Sequence, residues 1–223
     1  MIPFMFGGAL FDWDGVVVDS SPAHRESWER LARERGLTLP ANHFARSFGR
    51  KNGVIIPEIY EWATDPGEIA ELGHRKEVLY REIIADTGLE PLPGALELFR
   101  ALKAAGIPMA VGTSTPRRNV EAVIQLIGAE GFFRAIIAAE DVSHGKPDPE
   151  VFLKGAEALG LKPEACVVFE DATYGIEAAL AGGMKAVALT TTYPAETFNP
   201  LQPHRIVRNL DDVSVAFLEE LWE

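Results

Sequence analysis

The amino-acid sequence predicts an α/β protein: a parallel sheet with helices on both faces, and a helical segment inserted after the first strand. Three observations carry this. Short apolar runs alternate with amphipathic stretches over most of the chain, the alternation lapses between about Ser21 and Leu89, and polar residues suited to chemistry recur just behind the apolar runs.

In chain order, the candidate strands are Ala9-Leu-Phe-Asp12, Pro108-Met-Ala-Val111, Ala135-Ile-Ile-Ala138, Cys166-Val-Val-Phe169 and Lys185-Ala-Val-Ala-Leu189. Helical stripes lie between them. Ala95, Leu98, Phe99, Leu102 and Ala105 form one, closed by Gly106, and Val120, Val123, Ile124 and Ile127 form another, closed by Gly128. Phe152, Gly155, Ala156 and Leu159 form a third, with Asp148-Pro149 as cap and first-turn proline and Gly160 as its stop. Strand and helix in repetition give a Rossmann-like parallel sheet, whose chemistry collects beyond the carboxyl ends of the strands. From about Ser21 to Leu89 only helical patterns occur, such as Trp28, Leu31 and Ala32 closed by Gly36. The stiff Glu90-Pro-Leu-Pro-Gly94 then returns the chain to the alternating pattern. Residues 1–20 and 90–223 are therefore expected to form the catalytic core and residues 21–89 a helical cap domain.

Composition narrows the partners. Among 223 residues, 47% are apolar, enough for a real core. Twenty-one basic against 33 acidic side chains leave a net charge of −12, which disfavours nucleic acid and anionic membrane surfaces. No apolar run approaches the roughly 18–20 residues that span a bilayer. The opening Met-Ile-Pro-Phe-Met-Phe has no basic residue before it and reads as a strand and its lead-in, not a signal peptide. Cys166, the only cysteine, opens an apolar run and reads as a core residue; with no internal disulfide, a cytoplasmic location is expected.

Behind the first strand stand Asp12, Asp14 and Gly15; behind the second, Thr113, Ser114 and Thr115; behind the fourth, Glu170 and Asp171. The loop after the third leads to Gly145-Lys-Pro-Asp-Pro149. A parallel sheet brings these groups to one edge. Carboxylates this dense repel one another unless a cation sits among them, and hard oxygen ligands without His or Cys favour Mg2+ over zinc. Lys146 and free amides at a helix start suit a phosphate group. Together they describe metal-assisted phosphoryl transfer, in which positioning and charge neutralisation do most of the work.

Asp12-Trp-Asp-Gly-Val-Val-Val-Asp-Ser20, Val111-Gly-Thr-Ser114, Gly145-Lys-Pro-Asp-Pro149 and Phe169-Glu-Asp-Ala-Thr-Tyr-Gly175 resemble, in order, the four motifs of the haloacid dehalogenase superfamily. The resemblance covers essentially the whole chain and is strongest to the β-phosphoglucomutase-like group, whose small helical cap follows the first strand. It implies that Asp12 attacks phosphorus to give an aspartyl-phosphate, and that Asp14 is the general acid and base, with its backbone carbonyl ligating the metal. It further implies that Thr113 and the amide of Ser114 hold the phosphoryl group, that Lys146 neutralises that group and Asp12, and that Asp171 binds Mg2+ with help from Glu170. Gly15 allows the close backbone turn. The dehalogenases themselves need neither Asp14 nor the magnesium site, so dehalogenation is not expected.

In the inserted segment the resemblance gives His24 a part in positioning the cap and the acid/base aspartate, while Asp19 caps or orients the linker. The stretch Ser47-Phe-Gly-Arg-Lys-Asn-Gly53 reads as a specificity loop, with Arg50, Asn52 and Lys76 as candidate substrate contacts. The mutase of this group carries an arginine where Asn52 stands, which weakens any grip on a second phosphate. The expected activity is therefore a monomeric phosphatase acting on a small phosphorylated metabolite such as a sugar phosphate. The alternative is a phosphomutase that returns a second phosphate to the enzyme, and a degenerate binding protein is disfavoured because no core residue is missing.

Overall fold

A computed structural model of the chain describes residues 6–47 and 49–223. The reading of the opening residues as a strand and its lead-in falls largely on residues 1–5, outside the described residues, as does Phe48 in the stretch expected to be a specificity loop.

Six strands form one sheet: β1 (Gly8–Phe11), β2 (Met109–Gly112), β3 (Phe133–Ile137), β4 (Cys166–Glu170), β5 (Lys185–Leu189) and β6 (Arg205–Val207). Their order is β3-β2-β1-β4-β5-β6 and every pair is parallel, with Leu10 opposite both Ala110 and Val168. Because side chains alternate along a strand, the sheet carries two separate apolar layers. Ala9, Phe11, Val111, Val167 and Phe169 face one layer, with α5 (Ala95–Ala104), α6 (Arg117–Leu126) and α9 (Val215–Glu219). Leu10, Ala110, Cys166 and Val168 face the other, with α7 (Glu150–Leu159) and α8 (Thr173–Ala181). Cys166 is a fully buried core residue. The order in which successive strands are added reverses between β1 and β4, and in such sheets the crevice at that switch is where ligands bind.

Helix α7 begins one residue later than the sequence suggests. Pro149 is its cap rather than its first residue, and Asp148 still accepts the Glu150 amide at 2.9 Å. Strand β6 is absent from the sequence expectation because its three residues are mostly exposed and flanked by His204 and Arg208, so no apolar run marks it.

Between Asp19 and Leu89 the described residues contain helices and no strand: α1 (Ser21–Arg35), α2 (His43–Ser47), α3 (Asn52–Val54) continuing into a wider turn Ile55–Ile59, and α4 (Pro66–Thr87). Gly36 ends α1 in a left-handed conformation at φ 64°. Asp19 Oδ1 accepts from the amide and hydroxyl of Ser21, so it orients the entry to α1. Trp28, Leu31, Ile55, Ile56, Ile59, Tyr60, Leu72 and Leu79 form an apolar cluster of their own, distinct from both layers of the sheet. Tyr80, Ile83 and Ile84 at the other end of α4 join the layer around Phe11 instead. Helix α4 thus reaches from the inserted segment down onto α6.

Candidate active site

At the carboxyl ends of β1 and β4, between the sheet and the inserted helices, lies a cavity of about 230 Å³. Of the residues singled out by sequence, Asp12, Asp14, His24, Arg50, Asn52, Lys76, Thr113, Ser114, Lys146 and Asp171 line it. Glu170 and Gly15 stand just behind the lining, against Lys146 and Asp171 respectively.

Rigid packing sets the position of Asp12. Phe11 stacks on Phe169 at 4.8 Å and meets Phe99 edge-on at 5.0 Å, which fixes the end of β1. The Asp12 amide then donates to Phe169 O at 3.0 Å. Lys146 Nζ donates to Asp12 Oδ1 at 2.7 Å and to Glu170 Oε1 at 2.8 Å, and lies 4.7 Å from the centre of the Phe152 ring. Burial raises the Asp12 carboxyl to about 7; Lys146 opposes this, while Glu170 and Asp14 add to it. The Lys146 ammonium is opposed by burial but held well above its ordinary value by Asp12 and Glu170.

Asp14, two residues on, has different neighbours. The chain curls after Trp13, whose carbonyl accepts the amides of Val16, Val17 and Val18. The Asp14 carboxylate accepts from the hydroxyls of Ser20 and Thr115, and His24 Nε2 lies 3.6 Å from its Oδ1. Burial opposes its charge, but hydrogen bonding and charge from His24, with the two hydroxyls, bring it down to about 2. One aspartate is therefore held near neutral pH and the other far below it.

Asp12, Glu170 and Asp171 each offer a carboxylate oxygen within 4.8 Å of one another. Burial, then Glu170 and Asp12, push the Asp171 carboxyl well above its ordinary value. Three buried carboxylates facing one ammonium leave an excess of negative charge, and the donor set is oxygen only. That combination fits a hard divalent cation such as magnesium and not zinc. Gly15, at φ 85°, leaves the room: a Cβ there would run into the Asp171 carboxylate and come 2.8 Å from Thr192 Oγ1. Gly175 does the same beneath Glu170, whose Oε2 accepts the Ala172 amide at 2.7 Å. On the other side of the cavity, Thr113 is buried and its hydroxyl accepts the Thr115 amide at 3.1 Å, shaping the turn that enters α6.

The roof comes from the inserted segment. Gly49 sits over Tyr174 so closely that a Cβ would meet the phenol oxygen. Lys51 Nζ donates to the carbonyls of Ala139 (3.1 Å) and Val142 (3.2 Å), in the loop leading to Lys146. Lys76 Nζ lies 2.7 Å from His24 Nδ1 and 3.0 Å from Glu77 Oε1, and His24 stacks on Tyr80 at 4.2 Å. The sequence carries Ser20 inside the first motif, Thr115 beside the second and Lys51 inside the Ser47–Gly53 stretch, but gives none of them a contact; an isolated Glu77 carries no signal.

The sequence model of the haloacid dehalogenase-like hydrolases matches residues 6–183. The chain is 36% identical over 217 residues to the chloroplastic 5-amino-6-(5-phospho-D-ribitylamino)uracil phosphatase of Arabidopsis thaliana, covering 96% of this chain but only 57% of that enzyme's length. It is 35% identical to the fructose-1-phosphate phosphatase of Escherichia coli, across 82% of this chain and 95% of that enzyme. Its fold matches a β-phosphoglucomutase from Clostridium difficile with a TM-score of 0.85 at 22% identity, over 98% of this chain and 97% of that one. On its motifs, its sheet order and its sequence match, the chain belongs to the haloacid dehalogenase-like hydrolase family and has the β-phosphoglucomutase-like form of its fold.

Proposed function

We propose that the chain is a magnesium-dependent phosphatase that hydrolyses a small phosphorylated metabolite, a sugar phosphate or close relative, through an aspartyl-phosphate on Asp12. The observation that carries this is the division of labour between the two aspartates. Asp12 faces Lys146 among the carboxylates, whereas Asp14 faces Ser20, Thr115 and His24. The names of the two phosphatases similar to this chain support the same reading.

In this reading residues 21–89 form a cap over the core, consistent with their separate apolar cluster. Asp12, Asp171, the backbone carbonyl of Asp14 and Glu170, directly or through water, would hold magnesium. Bound there, magnesium supplies positive charge that favours the ionised carboxylates and offsets the phosphoryl oxygens. The chain's own residues do the remaining work. Lys146 keeps Asp12 aimed and adds charge where the phosphoryl group sits. Thr113 and the Ser114 amide bind that group's other oxygens. Asp12 Oδ attacks phosphorus as the P–O bond to the leaving group breaks, and Asp14 delivers a proton to the departing oxygen. A water then gives its proton to Asp14 and attacks the acyl-phosphate, releasing phosphate and restoring the Asp12 carboxylate. As an acceptor of three neighbours' hydrogen bonds, Asp14 is arranged as a base; the acid role needs those contacts to loosen when substrate enters.

Hydrolysis is favoured over phosphoryl return to the substrate because most cations at the cavity are already engaged. Lys76 serves Glu77 and His24, Lys51 serves two carbonyls, and Asn52 donates to Glu77 at 2.7 Å. Among the described residues, Arg50 also lines the cavity and is the cation this reading reserves for a second anionic group. The acidic balance and buried lone cysteine suit a cytoplasmic monomer without nucleic-acid or membrane partners. No helix among the described residues is long and apolar enough to cross a membrane.

The test is a panel of hexose, pentose and polyol phosphates with magnesium, reading free phosphate and isomer formation together. Steady phosphate release, abolished in Asp12→Asn and by EDTA, is the expected result. Unchanged turnover in Asp12→Asn would remove the nucleophile, and isomerisation of β-glucose 1-phosphate without phosphate release would replace hydrolase by mutase.

A further inference from the structure

Helix α4 is tied to helix α6 by buried polar side chains outside the carboxylate cluster. Glu77, 7% exposed, accepts on both oxygens. Its Oε1 takes Lys76 Nζ at 3.0 Å and Asn52 Nδ2 at 2.7 Å, and its Oε2 takes Asn119 Nδ2 at 2.5 Å. Asn119, fully buried in the first turn of α6, accepts Arg81 Nη1 on its Oδ1 at 2.7 Å. Burial opposes the Glu77 charge, yet Lys76, His24 and Asn52 hold its carboxyl below the ordinary value.

These contacts close a ring. From Asp14 the path runs to His24 (3.6 Å), to Lys76 (2.7 Å), to Glu77 (3.0 Å) and to Asn119 (2.5 Å). It returns along four residues of backbone to Thr115, whose hydroxyl donates to Asp14 again. Two of its links cross between the inserted segment and the core. A ring of buried polar contacts has few ways to relax, so displacing one member displaces the next.

We propose that Glu77 is a positioning residue: by gripping Lys76 and Asn52 of the inserted helices and Asn119 of α6 at once, it sets the placement of His24 against Asp14. This rests on the reading of Asp14 as acid/base and of residues 21–89 as a cap. The carboxylate is needed because both of its oxygens receive N–H donors; a glutamine must turn its own N–H2 toward one set of them.

The experiment compares Glu77→Gln, Asn119→Ala and the double variant with wild type, using p-nitrophenyl phosphate and magnesium, beside 15N spectra of the His24 imidazole. Each single variant should lose about tenfold in kcat with KM changed less than about threefold, the scale of coupling carried through intermediate side chains. The double variant should be no worse than the poorer single, as members of one network are not additive. The His24 Nδ1 resonance should move in both. If Glu77→Gln does not fold, Asn119→Ala, which keeps the charged pair, carries the same test. Wild-type kcat, additive losses, or an unmoved His24 resonance in folded Asn119→Ala overturns the role of Glu77. Activity persisting in Asp12→Asn would instead overturn the hydrolase reading itself, so the two failures are distinguishable.

Discussion

Replacing Lys146 by methionine removes the ammonium that, among the described residues, reaches both Asp12 and Glu170. The lysine side chain is 3% exposed and meets its two carboxylates at 2.7 and 2.8 Å, so no solvent replaces it. Methionine keeps the packing against the Phe152 ring, so the perturbation is of charge more than volume. Removing one partner of a buried ion pair costs about 3–5 kcal/mol when the other stays ionised. Asp12 can escape by keeping its proton. Its carboxyl is already raised from 3.8 to about 7 in the metal-free protein, which costs the folded state on the order of 4 kcal/mol above pH 7. The sign follows from proton counts. Between pH 3.8 and about 7 the folded state holds a proton that the unfolded chain has released, so metal-free stability falls as pH rises through that window. Without Lys146, which lowers the Asp12 value, the window extends further upward. Urea unfolding in EDTA, followed by tryptophan fluorescence, should show Lys146→Met losing more stability at pH 8 than at pH 5, by about 1.4 kcal/mol for the one pH unit above 7 over which only the variant keeps the Asp12 proton. Equal losses at the two pH values, or none at either, would refute the assignment of Lys146 as the counter-charge to Asp12.

Gly15→Ala should cut magnesium affinity in calorimetric titration, because its Cβ collides with Asp171 at a φ of 85°. Gly160→Ala, at φ 74° with open space around it, should cost only about 1–2 kcal/mol of stability and leave magnesium binding unchanged. Lys51→Met breaks the two bonds from the roof to the Ala139–Val142 loop, so KM should rise about tenfold and amide exchange across residues 49–54 should speed up.

Much of the core was legible because the rules that read it are local. Gly8–Phe11 and Cys166–Glu170 are buried on both faces, so they stand out as apolar runs, and Asp12, Glu170 and Asp171 fall where such runs end. Helices α1, α5 and α6 were readable from apolar stripes with glycine stops, since a periodicity of 3.6 survives in one dimension. Strand β6 was not, because an edge strand of three largely exposed residues needs no apolar pattern. The start of α7 shifted by one residue because Asp148 and Pro149 are both plausible caps until the backbone chooses.

The aspartate pair marks the boundary between the two kinds of information. Residue order alone placed Asp12 and Asp14 just behind the first strand, since chain direction leaves that position no freedom. The resemblance of the motifs gave the two different roles, but not the neighbours that separate them. Those came from the curl after Trp13, which directs Asp14 to Ser20, Thr115 and His24 while Asp12 stays with Lys146, 134 residues distant in the chain. Likewise Glu77 meets Asn119 across 42 residues, and Lys51 meets Ala139 across 88. Such meetings depend on how one helix seats on another, and a seat is chosen by the packing of whole surfaces, not by any short run of residues.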